Sequence, residues 1–292
     1  MSGKDTRLAL SQPGASAVDA PDIAAPDAGP TPMRVIAPTA PLMREAGGGR
    51  RGLDTELLLG ESFVVEEVTG EWCRGRSALD CYRGHVPAKL LGQPGAEPTH
   101  RVARLMTHLY AEPDIKTRPL ATLSYGSRLA VVDTTDAKGT RAPMARLARG
   151  GLVIADHLEP LVQPAQDWVA EAERLLGVPY LWGGRSSFGI DCSALVQLAR
   201  QAAGAECPRD SGDQEQALGA TLAPGTTPAR GDLIFWRGHV GIMLDAVRLL
   251  HANAHHMAAA IEPLAEAVAR IEAAGGGPVT RHARLDGGAR DR

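Results

Sequence analysis

One cysteine and two histidines in the C-terminal half have the types and spacing that a nucleophilic hydrolase requires. Cys192 follows Asp191 at the start of a segment whose apolar residues recur at helical spacing from Ala194 to Ala202. This pattern places the thiol in the first turn of a helix, with Asp191 as the N-cap. Unpaired N–H groups and the positive end of the helix dipole favour a thiolate there, and the thiolate is the nucleophilic form.

The two histidines lie in a β-rich stretch further along the chain. Three strands are predicted there, at Leu233–Trp236, His239–Leu244 and Arg248–Ala252. His239 and His251 are equidistant from Asp245, so a hairpin about that residue places the two rings opposite each other on one face. Either histidine alone would be an ordinary strand residue. Together with a cysteine at a helix start, they favour a nucleophile, a base and a residue that orients the base.

Several motifs in this half resemble the NlpC family of papain-like cysteine peptidases. They are Tyr180-Leu181-Trp182-Gly183-Gly184, Asp191-Cys192-Ser193, Arg230-Gly231-Asp232-Leu233-Ile234-Phe235-Trp236, His239-Val240-Gly241-Ile242 and Leu250-His251-Ala252. The resemblance implies that Cys192 is the nucleophile, His239 the base and His251 the third, orienting residue. It also implies that Tyr180 lies by the nucleophile near the oxyanion site. The sequence departs from many members at Ala194, where they have glycine.

Members of this family cut the γ-D-glutamyl–diaminopimelate bond of bacterial cell-wall peptides. The resemblance therefore implies a peptide with a free amine as substrate, and it places Asp191, Ser193 and Ser211 around that amine. A buried carboxylate is a good partner for an ammonium group. The alternative interpretation is that Asp191 only caps the helix and Ser211 only starts a turn.

The N-terminal half has the short strands and turn residues of small β modules. Predicted strands at Thr55–Leu59, Ser62–Val68, Glu71–Gly75 and Tyr82–Val86 resemble a bacterial SH3-like barrel. A second unit, with candidate strands at Thr107–Ala111, Leu120–Gly126, Leu129–Val132, Arg146–Leu147 and Gly151–Ile154, repeats the scheme. In the first barrel, Glu71, Trp72, Asp80 and Tyr82 are either a peptide-binding edge or ordinary turn and core residues.

These patterns predict an α+β protein with a papain-like catalytic domain preceded by two small SH3-like barrels. The predicted boundaries are a disordered leader at 1–33, barrels at 34–92 and 93–163, the catalytic domain at 164–286 and a frayed tail at 287–292. Barrels of this size have small cores, so docking onto the catalytic domain would stabilise them.

Composition limits the partners and the location. The net charge is −3, and no basic patch interleaved with aromatic residues occurs, so a nucleic-acid partner is not expected. The N-terminus lacks the basic start and apolar run of a secretory signal, which favours the cytoplasm. Reduced thiols are expected there, although Cys73 and Cys81 flank a predicted hairpin. His251, His255 and His256 cluster without a nearby carboxylate in the sequence, so no metal and no cofactor are predicted.

Three classes of function compete on this evidence. The first is an endopeptidase for soluble murein peptides such as L-Ala-γ-D-Glu-diaminopimelate in cell-wall recycling, with hydrolysis of intact wall as its variant. The second is a cysteine amidase or acyltransferase on the same fold. The third is a peptide-binding protein that has lost catalysis, which the intact set of Cys192, His239 and His251 disfavours.

Overall fold

The computed structural model describes residues 29–47 and 52–285. Most of the predicted leader and all of the predicted tail lie outside that part of the chain. The leader prediction is wrong at its C-terminal end, because residues 31–33 belong to the first strand and Met33 is buried. The predicted α+β class is confirmed, since antiparallel sheets are combined with a small number of helices.

The first barrel is built on an antiparallel sheet and a separate hairpin. Its strands are β1 (Thr31–Val35), β2 (Thr39–Leu42), β3 (Thr55–Leu58), β4 (Ser62–Thr69), β5 (Trp72–Ser77), β6 (Arg83–Pro87) and β7 (Leu91–Gly92). The sheet has the order β6-β5-β4-β1-β7, and β2 pairs with β3. Along β4, side chains alternate between core and surface, so Phe63 and Val65 point inward. Cys73 joins them in the core, whereas Cys81 lies in an exposed turn, and both are free thiols.

The second module consists of three small antiparallel sheets. Its strands are β8 (His100–Val102), β9 (Met106–Leu109), β10 (Ala121–Ser124), β11 (Arg128–Leu129), β12 (Val131–Thr135), β13 (Met144–Leu147), β14 (Leu152–Ile154) and β15 (Leu158–Pro160). Strand β8 lies between β11 and β15 in one sheet. Neither β8 nor β15 is predicted from the sequence, because a three-residue strand carries too little alternation to be recognised.

The catalytic domain is a six-stranded antiparallel sheet with helices on both faces. Its elements are α1 (Trp168–Glu173), β16 (Arg185–Ser186), β17 (Gly189–Ile190), α2 (Cys192–Ala202), α3 (Ser211–Ala217), β18 (Ala220–Thr221), β19 (Asp232–Trp236), β20 (His239–Met243), β21 (Arg248–Asn253), β22 (Ala258–Pro263), α4 (Leu264–Ala273) and β23 (Arg281–Arg284). The sheet order is β18-β23-β19-β20-β21-β22. Alternate residues pack against α2 on one face and against α4 on the other. No helix of the described residues has the length and apolar character needed to cross a membrane.

The buried side chain of Arg185 ties the first barrel to the catalytic domain. Its guanidinium donates to both carboxylate oxygens of Glu61, at 2.9 and 3.0 Å, and to Gln197 Oε1 on α2 at 2.6 Å. Its backbone N–H donates to Glu56 Oε2 at 2.9 Å. Because Glu56 and Glu61 belong to the barrel, one planar guanidinium fixes the barrel against the helix that carries Cys192.

A close backbone approach reinforces this contact. Gly183 has a positive φ of 74°, and a Cβ at this position would lie 2.5 Å from the carbonyl oxygen of Leu53 in the first barrel. Only glycine fits, so Gly183 serves the contact between the two parts. Asp80 in the same barrel accepts a hydrogen bond of 2.8 Å from the Gln197 amide.

The second module docks through a buried polar cluster on α1. The hydroxyl of Tyr125 donates to Glu171 Oε2 at 2.5 Å, and Arg101 donates to the same oxygen at 3.1 Å. Ser124 and Ser187 add a hydroxyl pair at 3.2 Å. Both β modules are therefore attached to the catalytic domain by satisfied, buried hydrogen bonds.

We expect Glu61→Gln to lower the free energy of unfolding by about 3 kcal/mol, because the variant leaves the Arg185 guanidinium buried without its charge partner. Urea denaturation followed by tryptophan fluorescence measures this change. The control is Asp133→Asn in the exposed ion pair with Arg146, for which we expect less than about 1 kcal/mol. Equally small effects in the two variants would contradict the argument.

Candidate active site

The nucleophile candidate stands at the first residue of α2, as the sequence predicts. Asp191 is the N-cap, and its side chain accepts a hydrogen bond of 2.9 Å from the N–H of Ala194. Cys192 itself is buried, with an exposed fraction of 8%. Its Sγ is close enough to the backbone N–H of Val240, the residue after His239, for that donor to affect its pKa. The helix start and the beginning of β20 therefore meet at the thiol.

The charge state of the free site differs from the sequence expectation. Burial raises the pKa of the Cys192 thiol to about 12, and the charge of Asp191 adds to the rise, while the N–H of Val240 opposes it. Burial also lowers the pKa of His239 to about 3 and that of His251 to about 4. The expected thiolate is therefore wrong for the free protein. Near neutral pH the thiol and both imidazoles are uncharged, so a proton must move when the sulfur attacks.

The two histidines are brought together, but their predicted pairing is wrong in register. The ladder pairs Ile242 with Leu250 and Met243 with Leu249. Continued along both strands, this register makes His239 and His251 diagonal neighbours on one face rather than directly opposite residues. Met243 pairs with Leu249, whereas a hairpin centred on Asp245 would pair it with Val247, so the turn is two residues longer on its C-terminal side. The diagonal arrangement still allows the two rings to contact each other, since His239 Nε2 lies 2.8 Å from His251 Nδ1.

The chain of polar contacts continues to a third strand that the sequence analysis missed. His251 Nε2 lies 2.6 Å from Glu262 Oε1, and Glu262 also pairs with the guanidinium of Arg270 on α4. The sequence analysis predicts no strand there, whereas Ala258–Pro263 forms β22. Three alanines followed by Ile261, Glu262 and Pro263 have low strand propensity, so the segment gives little local signal.

Of the three residues predicted around a substrate amine, Asp191 and Ser193 lie in a buried cluster with Arg209, whereas Ser211 lies at the start of α3. The carboxylate of Asp191 is surrounded by five donors: Arg209 Nη1 (3.0 Å) and Nη2 (2.6 Å), the N–H groups of Gly183 (3.1 Å) and Ala194 (2.9 Å), and Ser193 Oγ (3.3 Å). Ser193 Oγ also accepts from Arg209 Nη1 at 2.8 Å. These contacts within the protein occupy the hydrogen-bond acceptors of Asp191 and Ser193. The geometry therefore favours helix capping and charge pairing over binding of a substrate amine.

Arg209 is the residue that organises this cluster, although the family resemblance assigns an individual role only to Ser211 of the segment Arg209-Asp210-Ser211. It is 2% exposed, and besides Asp191 and Ser193 it donates from Nε to Thr55 Oγ1 of the first barrel at 2.6 Å. Its place in this segment, which the resemblance puts along the substrate cleft, was the available signal. One side chain thus contacts the residues on both sides of Cys192 and a strand of the neighbouring barrel.

Asp210 and Tyr82 form the contact between the first barrel and the open edge of this cluster. The Tyr82 hydroxyl lies 3.2 Å from Asp210 Oδ2 and 3.4 Å from Oδ1. Asp210 is exposed at the surface on one side. Desolvation on its packed side raises its pKa despite the neighbouring Arg209. Ser211, the third predicted amine contact, follows it as the half-buried first residue of α3.

Tyr180 lies beside the nucleophile, as the resemblance implies. Burial raises its pKa to about 12, and the next largest contributions come from Cys192 and Asp191. The phenol is therefore a neutral donor at all ordinary pH values. Within residues 29–47 and 52–285, its hydroxyl has no hydrogen-bond partner, so the donor is available.

A carboxylate does lie among the clustered histidines, contrary to the sequence expectation. Ligand atoms of His251, His256 and Glu262 fall within 4.8 Å of one another. The charge of Glu262 is already balanced by Arg270, and a cation there would meet the guanidinium directly. The prediction that no metal binds stays a prediction.

Two family models match the chain. The NlpC/P60 family matches residues 177–271, which hold the cysteine and both histidines. The bacterial dipeptidyl-peptidase SH3 domain matches residues 43–91, within the first barrel.

Curated relatives and solved structures agree with these matches. A gamma-D-glutamyl-L-lysine dipeptidyl-peptidase of Bacillus cereus is 28% identical over 240 residues, which cover 73% of this chain and 71% of that protein. Dipeptidyl-peptidase 6 of Lysinibacillus sphaericus is 27% identical, with 65% of this chain and 76% of that protein covered. The crystal structure of an NlpC/P60 family protein from Bacillus cereus superposes with a TM-score of 0.72 at 22% identity, covering 87% of this chain and 99% of that one.

The fold and the cysteine–histidine site define a peptidase of the cysteine type. The chain carries an NlpC/P60 domain at residues 177–271, preceded by a bacterial dipeptidyl-peptidase SH3 domain at residues 43–91.

Alkylation of Cys192 by iodoacetamide should become faster with every step in pH between about 6 and 10, because a thiol of raised pKa supplies more thiolate throughout that range. Peptide-resolved mass spectrometry measures the rate, with an unstructured cysteine peptide as the reference, whose rate is half-maximal near about pH 8.5. A rate that is already constant in mildly acidic solution would instead show a preformed thiolate–imidazolium pair.

Proposed function

We propose that this protein is a cysteine endopeptidase that hydrolyses the γ-D-glutamyl–diamino acid bond of short cell-wall peptides with a free N-terminal amine. The observation that carries the proposal is the position of the first barrel. Through Tyr82 it contacts Asp210, one residue from the arginine that holds both neighbours of Cys192. We therefore place the substrate between Cys192 and the contact of Tyr82 with Asp210, whose carboxylate forms the end of the proposed cleft.

In the proposed reaction, the Cys192 sulfur attacks the γ-glutamyl carbonyl carbon while its proton passes to His239. The Nε2 edge of His239 faces His251, so Nδ1 is the nitrogen left for the thiol. The imidazolium then gives its proton to the departing amine of the diamino acid as the C–N bond breaks. Water hydrolyses the resulting thioester with His239 as base, and the thiol is restored.

The tetrahedral oxyanion needs preorganised donors close to the sulfur. The first N–H groups of α2 have no partner within the helix, and the N–H of Cys192 lies at the attacking atom. The Tyr180 hydroxyl, which stays protonated, is the second donor that we assign.

The contact between Tyr82 and Asp210 carries negative charge that the neighbouring Arg209 offsets only in part. The Tyr82 hydroxyl lies beside Asp210 and near Asp54, and burial and both carboxylates raise its pKa. The pKa of Asp210 is also raised, which means that the free site stabilises the Asp210 carboxylate poorly. An ammonium group of the substrate, placed between Tyr82 and Asp210, would stabilise this negative charge. We therefore move the amine contact from Asp191 to Asp210, with Ser211 beside it.

The proposed substrate is a short, soluble peptide because the first barrel adjoins the cleft. The names of two relatives, a gamma-D-glutamyl-L-lysine dipeptidyl-peptidase and a dipeptidyl-peptidase, support release of a dipeptide from a free N-terminus. Diaminopimelate is the diamino acid that we propose, with L-lysine as the direct comparison. A role in recycling wall peptides in the cytoplasm is a further part of the proposal, to be tested by fractionating cells that produce the protein.

Incubation with L-Ala-γ-D-Glu-diaminopimelate, its L-lysine analogue and an N-acetylated copy tests this function by mass spectrometry of the products. We expect release of the free diamino acid from the free-amine peptides only, and none with Cys192→Ala. Cleavage of the acetylated peptide or of intact sacculi at a similar rate would indicate wall turnover instead. No cleavage of any of these peptides would overturn the assigned substrate class.

Asp210→Asn should raise KM for the free-amine peptide about thirtyfold, because a charge-assisted hydrogen bond contributes about 2 kcal/mol. Steady-state kinetics on the free and the acetylated peptide measure the change. Asp133→Asn removes the same charge from an exposed position in the second module and should leave KM unaltered. If both variants, or both peptides, respond alike, Asp210 does not bind the amine.

A further inference from the structure

Three polar side chains cross three adjacent strands in one line. His239 lies on β20, His251 on β21 and Glu262 on β22, and successive members are 2.8 and 2.6 Å apart. The β21–β22 register pairs His251 with Ala260 and Leu249 with Glu262, so Glu262 is the diagonal neighbour of His251 on the same face. The line ends at Arg270, which reaches Glu262 from α4.

Hydrogen-bond chemistry gives this line a direction. An ionised carboxylate can only accept, so the Glu262 contact requires a proton on His251 Nε2. A neutral His251 then presents a bare Nδ1, which must accept from His239 Nε2–H. His239 is left with a bare Nδ1. Because the tautomers are coupled, the carboxylate decides which nitrogen of the base is free.

We infer that Glu262 is a positioning residue of the catalytic relay: through His251 it fixes the tautomer of His239, and Arg270 holds its carboxylate in place. The inference deepens the proposed function and rests on it, since it concerns the same base. Glu262 is 9% exposed and His251 is fully buried, so solvent contributes little to either contact.

The electrostatic effects of the two added residues are opposite in sign. Glu262 raises the pKa of His251 through a hydrogen bond and its charge, and its charge raises that of His239. Arg270 lowers the pKa of both imidazoles. The other charged or titratable groups beside the line are Cys192 at the His239 end and His256, whose Nδ1 is 4.0 Å from Glu262 Oε1. When His239 takes up the thiol proton, Glu262 therefore stabilises the cation that forms.

The test combines kinetics with the protonation state of the rings. Glu262→Gln, which is nearly isosteric, should lower kcat/KM on the order of 10- to 100-fold, with KM little changed. Histidine-selective ¹⁵N labelling and long-range ¹H–¹⁵N spectra read the proton positions in the free protein. We expect Nε2–H on both rings of the unaltered protein and a mixture of tautomers in the variant.

Opposite pH shifts separate a positioning role from a merely structural one. The pH at which the two imidazoles take up protons should fall in Glu262→Gln and rise in Arg270→Gln, as followed by the same ¹⁵N signals. Matched controls are Glu266→Gln on the exposed side of α4 and Arg248→Gln in an exposed ion pair, which should leave rate and tautomers unaltered. Circular dichroism verifies that each variant folds.

The outcomes distinguish this inference from the proposed function. Unaltered tautomers and unaltered kcat/KM in Glu262→Gln would overturn the positioning role while leaving the endopeptidase intact. If the unaltered protein cleaves no murein peptide, the proposed function fails, and the spectra still decide whether Glu262 sets the tautomer. Shifts of equal sign in the Glu262 and Arg270 variants would also refute the inference.

Discussion

The buried ion pair between Arg209 and Asp191 is the interaction on which the functional part of this structure depends. The carboxylate caps the helix that begins at Cys192, and the guanidinium spans the residues on both sides of the thiol before reaching Thr55 in the first barrel. A buried arginine left without its carboxylate is strongly unfavourable, so these groups are constrained to stay together. The nucleophile, the start of α3 and the barrel are consequently held as one unit.

Two polar systems meet at the thiol with different tasks. On one side, the Arg209 cluster is saturated with hydrogen bonds and supplies rigidity, and Asp210 at its edge faces Tyr82 with a charge that Arg209 offsets only in part. On the other side, the histidine line carries the proton and ends in a carboxylate. Burial keeps the thiol and imidazoles neutral at rest. The thiolate and the imidazolium therefore form only during the reaction, when a bound peptide excludes water.

The sequence was sufficient to predict the features that depend on neighbouring residues. Helix α2, its N-cap and the strands that carry the histidines follow from periodicity and turn residues, and motif resemblance predicts the family. Register, strand β22 and the partners of Asp191 depend on contacts between distant segments, and so does the balance between the helix dipole and burial at Cys192. A local pattern cannot decide whether a capping aspartate also meets an arginine 18 residues away. Apart from residues 31–33, which belong to the first strand, the domain boundaries stay predictions, and so do the roles of the site residues.

The central claim is that the first barrel and the catalytic domain jointly form a cleft with an anionic end wall. The most direct measurement is a crystal structure of Cys192→Ala with L-Ala-γ-D-Glu-diaminopimelate bound. The account predicts the peptide amine within hydrogen-bond distance of Asp210 and Tyr82, and the γ-glutamyl carbonyl carbon over residue 192. An amine that points into open solvent, or a peptide that binds without touching the first barrel, would contradict it.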